Sequence, residues 1–162
     1  MLENLITDRA LSDVDAVKGL AEAIKAGTAT EEQVRQYLDV NHKGAYTYRD
    51  MNRVEDAVYY VATRLHEYGY LHTLPPIRQW TVADKPNQQD FQRYFGNVAV
   101  IRQAIAVWAN TPEVPDTVVG FDVNQANALE QILVDVDQIL NYIKDAWFFS
   151  GDLILGEVDE ND

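Results

Sequence analysis

Apolar residues recur every three to four positions along this chain, in five stretches divided by glycine, proline and short polar runs. That period predicts helices. The first stretch runs from about Asp8 to Ala26, aligns Leu11, Val14, Val17, Ala21 and Ile24 on one face, and stops at Gly27. The second opens at Thr30, whose hydroxyl suits an N-cap with Gln33 reaching back. It carries Val34, Tyr37 and Leu38 before Asn41-His42-Lys43-Gly44 breaks it. A third begins at Thr47 with Asp50 as its box partner, shows Val54, Ala57, Val58, Val61, Leu65 and Tyr68, and ends at Gly69.

From Tyr70 to Pro86 the pattern is irregular. Pro75-Pro76 excludes a helix there, and the stretch, with Trp80, is placed to drape over a bundle. The fourth helix starts near Pro86 or Asn87 and carries Phe91, Phe95, Val98, Ile101, Ile105 and Trp108. Gly96 in its middle costs about 1 kcal/mol against alanine, which predicts a neighbour packed close to the backbone. A loop from Asn110 to Gly120, with Pro112 and Pro115, leads to Asp122 as the cap of a fifth helix. Its stripe of Leu129, Ile132, Leu133, Val136, Leu140, Ile143 and Trp147 is the most regular in the chain. Burial of each such side chain contributes roughly 1.5–3 kcal/mol, so this helix is predicted to be the keystone of the core. After Gly151, Leu153-Ile154-Leu155 alternates too little to settle its class, a short strand being one reading. The last six residues hold four acids and are predicted to fray. The fold class expected is mainly α: a five-helix bundle with irregular proline-containing connections, one domain over residues 1–158 and an acidic tail at 159–162.

One internal similarity stands out. Tyr46-Thr47, Asn52 and Val54-Glu55 match Phe121-Asp122, Asn127 and Leu129-Glu130 at a constant offset, and Asn97 before an apolar run is a weaker third copy. Two readings stay open: two related helical hairpins, each using its asparagine to bind neighbouring backbone, or chance likeness between amphipathic helices.

Composition narrows the classes. With 162 residues, 47% of them hydrophobic, the chain is long and apolar enough to bury a core. No apolar run approaches the roughly 18 residues of a membrane span, and acids stand near the start where a secretory leader would carry basic residues. The absence of cysteine removes disulfides, thiolate metal sites and thiol nucleophiles. Thirteen basic against twenty-six acidic residues give a net charge of −13, which repels phosphate backbones and anionic lipid; direct nucleic-acid or membrane binding is not expected.

Candidate chemistry is sparse. No phosphate-binding glycine motif, HExxH or GxSxG occurs. The three histidines, His42, His66 and His72, lack the Glu-x-x-His spacing of a bundle metal site, so no metal or other cofactor is expected. Asp13 and Asp15, like Asp135 and Asp137, are two apart and point to different faces. Asp135, between Val134 and Val136, is nearest to an embedded carboxylate, and an exposed helix face is its simpler explanation. No enzymatic activity is expected. The aromatics carry more: Trp147, Phe148 and Phe149 are consecutive and fan across about 200 degrees of a helix, so they cannot share one core stripe. With Val58 and Val61 inward, one of Tyr59 and Tyr60 should look outward. These five are the interface candidates.

Several segments together, in order along nearly the whole chain, resemble a helical domain of tail and other virion proteins from phages and prophages of Gram-positive bacteria. They are Leu5-Ile6-Thr7-Asp8-Arg9 with Asp13-Val14, Lys43-Gly44-Ala45-Tyr46 leading into Asn52-Arg53-Val54-Glu55, and Trp80 with Asp84 and Pro86. Glu130-Gln131-Ile132-Leu133 with Asp135-Val136-Asp137 follow, then Ala146-Trp147-Phe148-Phe149-Ser150-Gly151 ahead of Gly156-Glu157. The resemblance implies a structural adaptor or appendage part made in the bacterial host cytoplasm and residing in the virion. Its partners would be other virion proteins and a homo-oligomer of itself. It supplies no catalytic residues. The competing reading, from small size and charge, is an acidic phage inhibitor of anti-CRISPR or anti-restriction type whose carboxylates imitate nucleic-acid phosphates.

Overall fold

The computed structural model describes residues 2–39 and 42–151, with the side chains of 147–151 left aside. A 3-10 turn, Leu2–Asn4, precedes five helices: α1 (Leu11–Lys25), α2 (Glu31–Leu38), α3 (Tyr48–Glu67), α4 (Gln88–Ala104) and α5 (Val123–Gly151). No strand occurs among the described residues. The expected short strand at Leu153–Leu155 and the acidic tail at 159–162 lie outside them.

Three helices make the core. α5 lies against both α3 and α4, which also pack on each other. Its Leu129, Ile132, Leu133, Val136 and Leu140 are fully buried, against Val54, Val58, Val61 and Leu65 of α3 and Val98 and Ile101 of α4 in one cluster. The stripe thus faces apolar surface on two sides, as its regularity predicts. Phe121, just before α5, stacks on Phe95 and meets Tyr46 edge to face, tying the starts of α5 and α3 to α4.

The caps are those the residues call for. Thr30 and Gln33 form a reciprocal box at α2 and Thr47 and Asp50 another at α3; Asn87 caps α4, paired with Asp90. Asp122 accepts from the amides of Asn124 and Gln125 at α5.

Four expectations are corrected. The first helix begins at Leu11 rather than Asp8, because Arg9 is held in an extended segment by groups far away in sequence. The fourth ends at Ala104, leaving Ile105 and Trp108 outside it. Arg102 reaches forward to the carbonyls of Thr111 and Pro112 and folds the following loop back on the helix. Gly96 has open space where a Cβ would stand, so no neighbour explains it. Asp135 is buried, not exposed; its carboxylate accepts from the Thr111 hydroxyl at 2.6 Å and the Gln131 amide at 2.7 Å.

The α1–α2 hairpin differs in kind. Neither helix contributes a buried residue, and Leu11 and Leu38 are 70% and 69% exposed. Its attachment runs through the loop before α3: Lys43 pairs with Asp8 at 2.7 Å, and the Gly44 backbone lies so close to the Asp13 carbonyl that a methyl group at 44 would coincide with it. Only glycine fits that approach. Gly44→Ala is therefore expected to cost about 1–3 kcal/mol in urea unfolding and to speed proteolysis within α1–α2. A variant as stable and as resistant as the parent would contradict the close contact.

Candidate functional site

The two helices that share the Asn-x-x-Glu spacing use it in the same way. On α5, Asn127 accepts from the Arg9 backbone N–H at 3.0 Å and donates to the Arg9 carbonyl at 2.9 Å. On α3, Asn52 accepts from the Trp80 N–H at 2.6 Å and donates to the Trp80 carbonyl at 2.9 Å. Each side-chain amide thus substitutes for a backbone neighbour and satisfies both backbone groups of one residue outside the helices. Asn97 of α4 makes half such a clamp, donating to the Pro76 carbonyl at 2.8 Å. The asparagine-to-backbone role expected from the similarity is present at both Asn52 and Asn127.

The glutamate one turn on then takes the side chain of the clamped residue. Glu55 accepts from the Trp80 indole at 3.1 Å and from both terminal nitrogens of Arg93, on α4. Glu130 accepts from Arg9 at 2.6 Å, from the Ile6 amide at 2.5 Å, and from Arg53 of α3 at 2.9 and 3.1 Å. Asn and Glu stand three apart on one helix face, so a single turn holds a segment by backbone and side chain together.

Around Glu130 the charges balance. Asp50, also buried, accepts from Arg9 at 3.1 Å and Arg53 at 2.6 Å while still capping Thr47. Two carboxylates and two guanidiniums form a neutral cluster, and that balance makes burial of Arg9, Asp50 and Glu130 tolerable, with Arg53 partly exposed at its edge. The ring of Tyr46 lies beneath Arg9 at 5.5 Å. Burial alone would lower the Arg53 pKa, but the hydrogen bonds and charges of Glu130 and Asp50 outweigh it and raise it. Tyr46 is only partly covered as a residue, yet its hydroxyl meets that of buried Tyr94 at 2.6 Å. Desolvation, reinforced by the nearby carboxylates, pushes both phenols above their ordinary range.

The carboxylates of this network are enclosed and engaged by donors. No group of acids and histidines placed to hold a metal occurs among the described residues. His66 is exposed and bonds the Leu71 carbonyl through Nδ1 at 2.8 Å. The surface offers more. Tyr59 is half exposed, and Tyr60 is partly covered with Arg64 over its ring, so one of the pair does look outward. The side chains of Trp147, Phe148 and Phe149 lie outside the described residues. Sequence reasoning did not single out the exposed apolar residues of the hairpin, Leu11, Val34, Tyr37 and Leu38. Helical periodicity marks an apolar face without saying whether its cover lies in the same chain. Between α1 and the first turn of α5 runs an open groove of about 330 Å³.

Comparison of the chain with protein-family models, curated proteins and solved structures finds no match. No described helix is long and apolar enough to cross a membrane.

Glu130→Gln is expected to lower the urea-unfolding free energy by about 3–5 kcal/mol, because it leaves buried Arg9 and partly buried Arg53 short of countercharge. Glu32→Gln, in an exposed pair, should cost under ~1 kcal/mol. Similar losses for the two variants would contradict the network's role. The phenols give a pH test. Their folded pKa values exceed the unfolded value of about 10, so their contribution is intact below pH 10 and declines as pH rises further, by about 1.4 kcal/mol per unit for each. In an ultraviolet titration Tyr46 and Tyr94 should ionise last, with unfolding, and Y46F/Y94F should remove that late phase.

Proposed function

We propose that this chain is a structural adaptor of a phage or prophage virion, a tail or appendage part without catalytic chemistry that works through protein–protein contacts. The observation that carries the reading is the division between a tightly packed three-helix core and the α1–α2 hairpin. The α2 cap is formed by Thr30 and Gln33 and both hairpin helices carry apolar residues at helical spacing, while Leu11, Val34, Tyr37 and Leu38 remain open to solvent. Scattered apolar residues on a surface need no explanation; four on one two-helix unit with no buried residue mark a contact face. The ordered resemblance to phage virion domains supports the biological setting: assembly in the host cytoplasm and residence in the particle beside other virion proteins.

The inhibitor reading gains less. A nucleic-acid decoy needs its carboxylates displayed, and Asp50, Glu55, Glu130 and Asp135 are buried in structural bonds.

The test is to tag the chain in its phage or prophage and look for it in purified particles, beside a variant with Leu38→Glu and Val34→Glu. Those exposed substitutions are expected to change stability by no more than about 0.5 kcal/mol and to reduce incorporation strongly. Absence of the parent protein from particles would overturn the reading.

A further inference from the structure

In the groove between α1 and the start of α5, exposed apolar surface and positive charge meet in a chain of net charge −13. Leu11, Val14 and Val123 supply apolar wall, and Lys18 and Lys43 line the same groove. Asp122 is there too, but its oxygens accept from Asn124 and Gln125. Among the described residues Lys43 pairs with exposed Asp8, a surface pair that exchanges at little cost. Arg9, itself 5% exposed, also lines the groove, and its Nε is a buried donor with no acceptor among the described residues. At about 330 Å³ the groove lies at the lower end of ligand-pocket sizes, roughly 300–1,000 Å³. It suits a short aliphatic segment that brings carbonyl or carboxylate oxygens with it.

Residues 152–162 of this chain have that chemistry: Leu153-Ile154-Leu155 is aliphatic, and Glu157, Asp159, Glu160 and Asp162 follow. We infer that the groove receives the Leu153–Leu155 segment of a second copy, with the acids after it meeting Lys18 and Lys43. The reach of the chain decides between copies. Ala126, at the groove, and Gly151 are separated by roughly 37 Å of helix at about 1.5 Å per residue. Even fully extended, four residues carry Leu155 at most ~14 Å from Gly151. The segment cannot return to its own groove. Docking in trans joins the two ends of the molecule, which is a head-to-tail contact; repeated, it closes a ring or grows a filament. The inference deepens the adaptor reading by naming one partner as the chain itself.

Two blocked versions of the full chain test it: a groove variant, Leu11→Asp with Lys18→Glu, and a tail variant, Leu153→Ser with Ile154→Ser and Leu155→Ser. In sedimentation the parent is expected to associate with rising concentration, whereas each variant alone stays monomeric. An equimolar mixture should stop at a dimer, because one good groove and one good tail remain. A labelled peptide of residues 151–162 should bind the parent saturably, more weakly as salt rises, and about tenfold or more weakly to the groove variant. Circular dichroism of both variants reports whether they fold as the parent does. A parent that stays monomeric at high concentration and does not bind the peptide overturns the inference. So does association of the parent that the tail variant retains. Presence of the protein in particles with no peptide binding removes head-to-tail docking alone and leaves the adaptor reading standing.

Discussion

The carboxylate of Glu130 cannot be left unanswered. It has no exposure to solvent, and a charge in that position is tolerable only when donors surround it. Arg9, Arg53 and the Ile6 amide supply them, from the extended N-terminal segment and from α3, so one side chain of α5 fixes where two other parts of the chain lie. Asp50 completes the charge balance and caps α3 as it does so. The apolar stripe brings α3, α4 and α5 together without specifying their register closely; the buried network selects one arrangement from those the stripe permits. Glu55 repeats the device with Trp80 and Arg93, fixing α4 and the proline-containing connection to α3.

Much of this was open to reading from residues. Caps were legible because Thr30, Thr47 and Asp122 act within three or four residues of themselves, and the α5 stripe because helical period and burial coincide over several turns. The Asn-x-x-Glu recurrence was legible as a pattern, and its backbone-binding role followed from what an asparagine amide can do. What it would bind was not. Arg9 lies 118 residues from Asn127, and no local preference marks residues 8–10 as extended against the helical period that follows. The end of α4 at Ala104 escaped for the same reason: it is set by Arg102 reaching into a loop. Asp135 looked like a surface residue because its partner, the Thr111 hydroxyl, arrives from that loop. Gly96, expected to admit a neighbour, faces open space, and nothing in the structure accounts for it.

The division between core and hairpin bears on function. The Gly44 backbone lies against the Asp13 carbonyl and ties α1 to the loop before α3, while the hairpin's apolar residues stay uncovered. The groove at its base lies at the start of α5, and in sequence the aliphatic run Leu153-Ile154-Leu155 follows the helix's other end.

Hydrogen exchange at the backbone amides of Ile6 and Arg9 tests the central claim most directly. Both residues lie in an extended segment near the N-terminus, where exchange is ordinarily fast. If Glu130 and Asn127 bind that segment as part of the core, the two amides should exchange only with global unfolding, at the same free energy as the buried turns of α3 and α5. Exchange of Ile6 and Arg9 as fast as the exposed loops, with the core still protected, would show that the network decorates the bundle rather than organising it.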